Sequence, residues 1–163
     1  MSLQVLVQTM PTETYGQWMG TPMDRRDIDR LLTDAGWGVL SLAEGDEPYS
    51  IPVSFGYDGD DVFLALIRDS PENTKFEFVD DGQRARLLVT DIGGRFDWQS
   101  IAITGTARAL SPDTGEWDHA VETLDDNAWF STDFERAEGI EAITVWRLDV
   151  DEIRGLEVQE DGN

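Results

Sequence analysis

Residues 49–79 read YSIPVSFGYDGDDVFLALIRDSPENTKFEFV, and this stretch constrains the fold more than any other. Ile51, Val53, Phe55 and Tyr57 recur every second residue, the period of a half-buried strand. Asp58-Gly59 follows, and then a second apolar run from Val62 to Ile67. An Asp-Gly step between two such runs is a strong hairpin signal, because the tightest turns hold both residues at positive φ. Ser70-Pro71 next reads as an N-cap and a first helical position, opening a short helix that carries Lys75. The order is therefore strand, tight turn, strand, short helix.

The flanking chain supplies more strands. Thr21-Pro22-Met23-Asp24 predicts a helix start, with Thr as cap and Pro in the first turn. Ile28, Leu31 and Leu32 form its apolar stripe, and Gly36 is placed to end it. Strands are expected over residues 37–43, from Pro48 onward, over 62–67, 84–91, 98–110 and 140–150, with a short extension at 153–158. Pro52 lies inside one of these strands and cannot donate to a ladder, so one side of that strand should be unpaired. Gly105, inside another, marks a bulge or a close approach. Ser111-Pro112-Asp113 predicts a second helix, with Trp117, Ala120, Val121 and Leu124 on one face. Six strands with short connections and small helices point to a mainly β (α+β) fold, a six-stranded antiparallel barrel. The expected organisation is an arm (1–20), one domain (21–158) and a polar tail (159–163).

Charge excludes several functions. With 12 basic and 34 acidic residues the net charge is −22. Eleven of the twelve cations are Arg, and Lys75 is the sole lysine. Self-repulsion on this scale strains a compact fold in dilute buffer. It is screened in molar salt, where the Debye length is only ~3 Å. The acids are spread along the whole chain, which fits a protein of a salt-accumulating, halophilic cytoplasm. Nucleic acid is not an expected partner, because no basic cluster exists to meet phosphates. No cysteine and one histidine, His119, leave no thiolate chemistry and no multi-histidine metal site. No apolar run reaches the ~20 residues that span a bilayer. The N-terminus has neither a basic region nor a long apolar segment, so the expected location is cytoplasmic.

The strand–hairpin–strand–lysine order resembles the pyridoxamine 5′-phosphate oxidase-like superfamily of split β-barrel flavoproteins. It is most similar to the small single-domain branch related to nitroimidazole-resistance and general-stress proteins. The matching pieces are residues 49–58, 62–66, Lys75 and the segment WQSIAITGTA at 98–107. With flanking elements the resemblance covers roughly residues 24–155. It implies a split barrel that binds FMN, in a homodimer whose flavin sites lie at the subunit interface. It also implies oxidoreductase chemistry on a small-molecule substrate, with the cofactor doing the redox work. A deazaflavin coenzyme, haem or a cofactor-free, non-enzymatic dimer are the alternatives within the same fold.

The resemblance also nominates site residues. Lys75 would hold the phosphate, with Arg68 as a second charge and Ser70 and the adjoining helix N-terminus assisting. Ile51, Pro52, Val53 and Ser54, with Trp98, Gln99 and Ser100, would line the ring. Taken alone, Trp98 reads rather as a strand-end core residue, and Arg68 equally as a solvated loop arginine. Two features run against an intact site: Glu72 lies in the proposed phosphate turn, and Leu64-Ala65-Leu66-Ile67 is wholly apolar where many relatives carry a polar residue. No catalytic acid or base is identified, and His119, on a surface helix, is not expected to act in catalysis.

Overall fold

The structure is a computed structural model that describes residues 19–68, 79–126 and 142–159, with Ile67, Arg68, Ala142 and Ile143 described by backbone alone. The helix expected around Lys75, the aromatics Trp129 and Phe130, and most of the N-terminal arm lie outside the described residues.

Seven strands and two helices follow in order: β1 (Thr21–Pro22), α1 (Arg25–Ala35), β2 (Trp37–Glu44), β3 (Glu47–Tyr57), β4 (Val62–Arg68), β5 (Arg84–Gly94), β6 (Asp97–Ala109), α2 (Gly115–Asp125) and β7 (Ala142–Val158). The sheet order is β1-β7-β4-β3-β2-β5-β6, and β6 also pairs with β7. Every pairing is antiparallel, so the six longer strands close into a ring. β7 makes the closure possible. Residues 142–148 pair with β4, whereas residues 146–158 pair with β6. The expected sixth strand and its extension are thus one continuous element.

Alternation sets the interior. Leu40, Phe55, Leu64, Leu87, Ile103 and Leu148 point inward and are almost wholly buried. Burying each such side chain contributes roughly 1.5–3 kcal/mol. Ile28, Leu31 and Leu32 of α1 join the same core, and Gly36 ends that helix at φ 67°. Gly105 meets both expectations at once. The β6–β7 register shifts there, and a Cβ on Gly105 would stand 2.2 Å from the Asp149 carbonyl oxygen.

Three sequence expectations need correction. Thr21 and Pro22 do not start α1. They pair with Glu157 and Leu156, and Asp24 caps the helix by accepting the Asp27 N–H at 2.8 Å. Thr and Asp are both good caps, and a two-residue edge strand tolerates proline, so tertiary pairing decided between them. The second helix begins later than Ser111, with Thr114 as cap, its hydroxyl accepting the Trp117 N–H at 3.2 Å. In the Asp58-Gly59 turn only the glycine has positive φ, 101°. Asp58 instead closes the turn through its side chain, where Oδ1 accepts the N–H groups of Asp60 (2.9 Å) and Asp61 (2.7 Å).

The apolar run in β4 also has a fold-level explanation. Val62, Leu64 and Leu66 fill the barrel, while Phe63 and Ala65 face outward beneath Ala120 and Leu124 of α2. A strand covered on both faces is apolar throughout. Gly56 lets the helix approach, since a Cβ there would lie 2.8 Å from the Thr123 carbonyl oxygen. His119 anchors the same helix. Its Nε2 sits 2.8 Å from Asp58 Oδ2, and its ring meets Phe63 edge-on at 5.4 Å.

Candidate functional site

β3 pairs with β2 over residues 47–54 but with β4 only over 55–57. Beyond Phe55 the two strands part. The Phe55 N–H donates to the Gly36 carbonyl at 3.1 Å. In an antiparallel ladder, bonded and non-bonded positions alternate. Val53 and Ile51 therefore turn their main-chain groups toward β2, while Ser54 and Pro52 turn theirs away. Pro52, lacking an N–H, occupies one of the two positions where no donor to β2 is needed. The open edge expected from the sequence is present, and among the described residues no strand pairs with it. It offers the Pro52 carbonyl and both main-chain groups of Ser54.

Side chains divide the expected ring-lining residues between two faces. Ile51 and Val53 point into the barrel and belong to its core. Pro52 and Ser54 point outward, as do Trp98 and Ser100, whereas Gln99 follows the inward alternation of Ile101. Ser54 pairs with Trp37, and Ser100 pairs with Thr90. Trp98 packs across the backbone of Gly20, where a Cβ would be 2.9 Å from its ring. The Gln99 amide donates to Glu157 Oε2 at 2.9 Å, and Gln159 donates to the same oxygen at 3.1 Å. Arg68 ends β4 with its side chain undescribed, and Ser70, Glu72 and Lys75 lie outside the described residues.

The structure adds residues that sequence reasoning missed. Trp37, Leu88 and Ile92 project from β2 and β5 on the outer face and are 48%, 41% and 72% exposed. Val39, Pro52 and Ala102 share that face. The signal was available at Leu87-Leu88, where two adjacent leucines break the alternation of β5 and commit one of them to the outside. On these four strands the same face carries no carboxylate; the nearest on the adjoining strand is Glu152 of β7, across from Thr104. β2, β3, β5 and β6 contain four acidic residues, Glu44, Glu47, Asp91 and Asp97, each near a strand end and each of inward alternation. In a chain with 34 acidic residues, four adjacent strands thus present an acid-free outer surface, on which Trp37, Val39, Pro52, Leu88, Ile92 and Ala102 are the apolar part.

An apolar wall beside free main-chain groups suits a flat ligand, and among the described residues no side chain here is placed as a general acid or base. His119 is committed to Asp58, and the described residues contain no group of three or more side chains able to hold a metal ion. No helix among them is long and apolar enough to cross a membrane.

A family model described as pyridoxamine 5′-phosphate oxidase matches residues 24–157. No curated protein matches the chain. Similar solved structures include an FAD-binding protein from Mesorhizobium loti, at 20% identity and TM-score 0.66, covering 86% of this chain and 99% of that one. A 5-nitroimidazole antibiotic resistance protein, so described provisionally, from Bacteroides thetaiotaomicron aligns at 18% identity and TM-score 0.62, covering 86% and 90%. An FAD and heme binding protein from Mycobacterium smegmatis aligns at 18% identity and TM-score 0.59, covering 86% and 74%. At these identities the likeness carries the fold, and the family match spans most of the sequence. The closed antiparallel ring and the 24–157 match together assign this chain to the pyridoxamine 5′-phosphate oxidase family, with a split-barrel fold.

Proposed function

We propose that the protein binds FMN and works as an oxidoreductase on a small-molecule substrate, as a homodimer with flavin sites at the subunit interface. The observation that carries this reading is the open β3 edge at Pro52 and Ser54 beside an acid-free apolar face. A flavin ring needs a flat apolar wall and main-chain groups at its polar rim. Both stand together here, so the residues present fit the group. Lys75 holds the phosphate, with Arg68 as the second charge. A single phosphate suits this sparse positive charge better than a longer anionic tail, which favours FMN over FAD or a deazaflavin. Bound flavin supplies hydride or electron transfer, and the protein supplies position and exclusion of water. Haem is less well supported: the chain's one histidine, the commonest haem ligand, is tied to Asp58.

The face around Trp37, Leu88 and Ile92 covers its counterpart on a second copy. Exposed contiguous apolar surface marks an interaction site, and a carboxylate-free centre lets two strongly acidic molecules meet. A salt-rich cytoplasm is the setting that the charge favours.

The decisive experiment is visible absorption of the protein in molar potassium chloride, before and after titration with FMN, FAD, a deazaflavin or haem. A flavin spectrum or a saturable shift with FMN is expected, and Lys75→Ala should weaken it. A folded protein that ignores FMN refutes the cofactor assignment. Sedimentation equilibrium tests the assembly: wild type should be a dimer and Leu88→Glu a monomer.

A further inference from the structure

β7 leaves one stretch of its edge uncovered. Leu148 pairs with β4 on one side and β6 on the other, and Leu156 pairs with β1 and β6 in the same way. Between them, on the side away from β6, no strand among the described residues pairs with 149–155. The Met23 N–H donates to the Gly155 carbonyl at 3.0 Å, so Gly155 turns its main-chain groups toward this open side. Alternation along the β6 ladder turns those of Ile153 the same way, and among the described residues nothing meets them. An apolar recess of about 440 Å³ adjoins them, lined by Pro22, Met23, Ile28, Ile153, Gly155 and Leu156, with Arg154 completing its wall. Free main-chain groups beside a pocket for alternate side chains are what an added β-strand requires.

The sequence holds one segment suited to that edge. Residues 1–12, MSLQVLVQTMPT, are the longest uncharged run in a chain with 34 acidic residues. Leu3, Val5 and Val7 alternate within it, the period of a strand with one apolar face. Left exposed, an uncharged segment of this composition promotes association between copies. Asp151 and Glu152 are exposed along the open stretch of β7, so a segment bearing carboxylates would be repelled there and this one is not. The described chain leads back to the same place. Gly20 lies against Glu157, where a Cβ would stand 3.3 Å from the carbonyl oxygen, and Pro22 lines the recess itself. The 13 residues between Val7 and Thr21 span up to about 45 Å when extended, ample for a return. We propose that residues 3–7 of this chain add a strand along the open edge of β7 at Ile153, with Leu3, Val5 and Val7 toward the recess and Gln4 and Leu6 outward. The inference does not rest on the flavin reading.

The test is hydrogen exchange of the full-length protein in molar potassium chloride, read by mass spectrometry. Amides of residues 3–8 and of Ile153 should exchange at least about tenfold more slowly than in unstructured peptide. Val5→Glu drives a charge into the recess and should return residues 3–8 to the unstructured rate, while the amides of β2 and β5 stay protected. An unprotected arm in wild type, or protection that survives Val5→Glu, overturns the proposal. Cross-linking then decides which chain the arm covers. The sequence has no cysteine, so an introduced pair reports without background. Arg154→Cys is combined with Gln4→Cys or with Leu6→Cys, which sample two successive registers, because a disulfide needs Cβ atoms about 3.5–4.5 Å apart. One of the two pairs should oxidise within a single chain, seen on a non-reducing gel. A link between two chains would place the arm on a second copy, and no link with either pair would remove the contact; both results overturn the proposal.

Discussion

Replacing Gly105 by alanine tests how the barrel closes. Gly105 is buried in β6, opposite Val150 of β7, where the register shifts. An added Cβ would lie 2.2 Å from the Asp149 carbonyl oxygen and 2.9 Å from its carbon. Ordinary contact begins near 3.4 Å, so the β7 backbone must yield by more than about 1 Å. That segment is held on both sides: Leu148 pairs with Val62 of β4 and with Ala107 of β6. Overpacking a rigid site costs up to about 3 kcal/mol. For a chain of this length each kcal/mol lowers the melting temperature by roughly 2–4 °C, so a fall of roughly 6–12 °C is expected. The assay is thermal unfolding followed by circular dichroism in molar potassium chloride. Gly115→Ala is the matched control, because a Cβ there meets nothing within 4 Å. It should melt at or slightly above the wild-type temperature. A Gly105→Ala protein that melts within about 1 °C of wild type would show that β7 is not clamped as described.

Three further outcomes follow from the hydrogen bonds and the charge. The Tyr57 hydroxyl lies 2.6 Å from Asp29 Oδ1 and 2.9 Å from the Gly59 carbonyl, and burial followed by the Asp29 bond pushes its pKa up to about 12. The fold therefore favours the protonated phenol. That contribution is complete below the unfolded value near 10 and is lost as pH rises toward 12, so denaturant midpoints should drop between these limits in wild type but not in Tyr57→Phe. Burial alone would raise the Asp58 carboxyl, but donation from Asp61, His119 and Asp60 brings it below its usual range. Stability from Asp58 is present above the unfolded carboxylate value and is lost as pH falls, and Asp58→Ala should cost about 1–2 kcal/mol at neutral pH in urea unfolding. Diluting potassium chloride from molar to roughly a tenth extends the Debye length from ~3 to ~10 Å, so the melting temperature should fall with dilution, and a flat profile would remove the halophilic reading.

Sequence alone carried the local order. Period-two alternation located β3, Gly36 marked the end of α1, Pro52 announced an open edge, and Gly105 announced the bulge. Each of these is dictated by one residue's own stereochemistry or by which side of a pleat it occupies, so neighbours in sequence suffice to read it. The resemblance carried by residues 49–58 and 98–107 supplied the family. Other features were settled only by partners distant in the chain. Thr21 and Asp24 are both acceptable caps, and the choice fell to Asp24 because β7, more than a hundred residues later, claims Thr21 as a strand partner. The apolar run of β4 owes its outward members, Phe63 and Ala65, to the cover of α2, a partner more than fifty residues later. Trp37 carries no local mark of being outside, and Leu87-Leu88 shows only that one of two leucines must face out, not which surface it joins. The exposure of Trp37 and Leu88 and the acid-free surface they share arise only when β3, β2, β5 and β6 lie side by side. A strand's chemistry is written in its residues, but which residues become neighbours on a face is set by strand order and register, and those depend on the closure of the whole barrel.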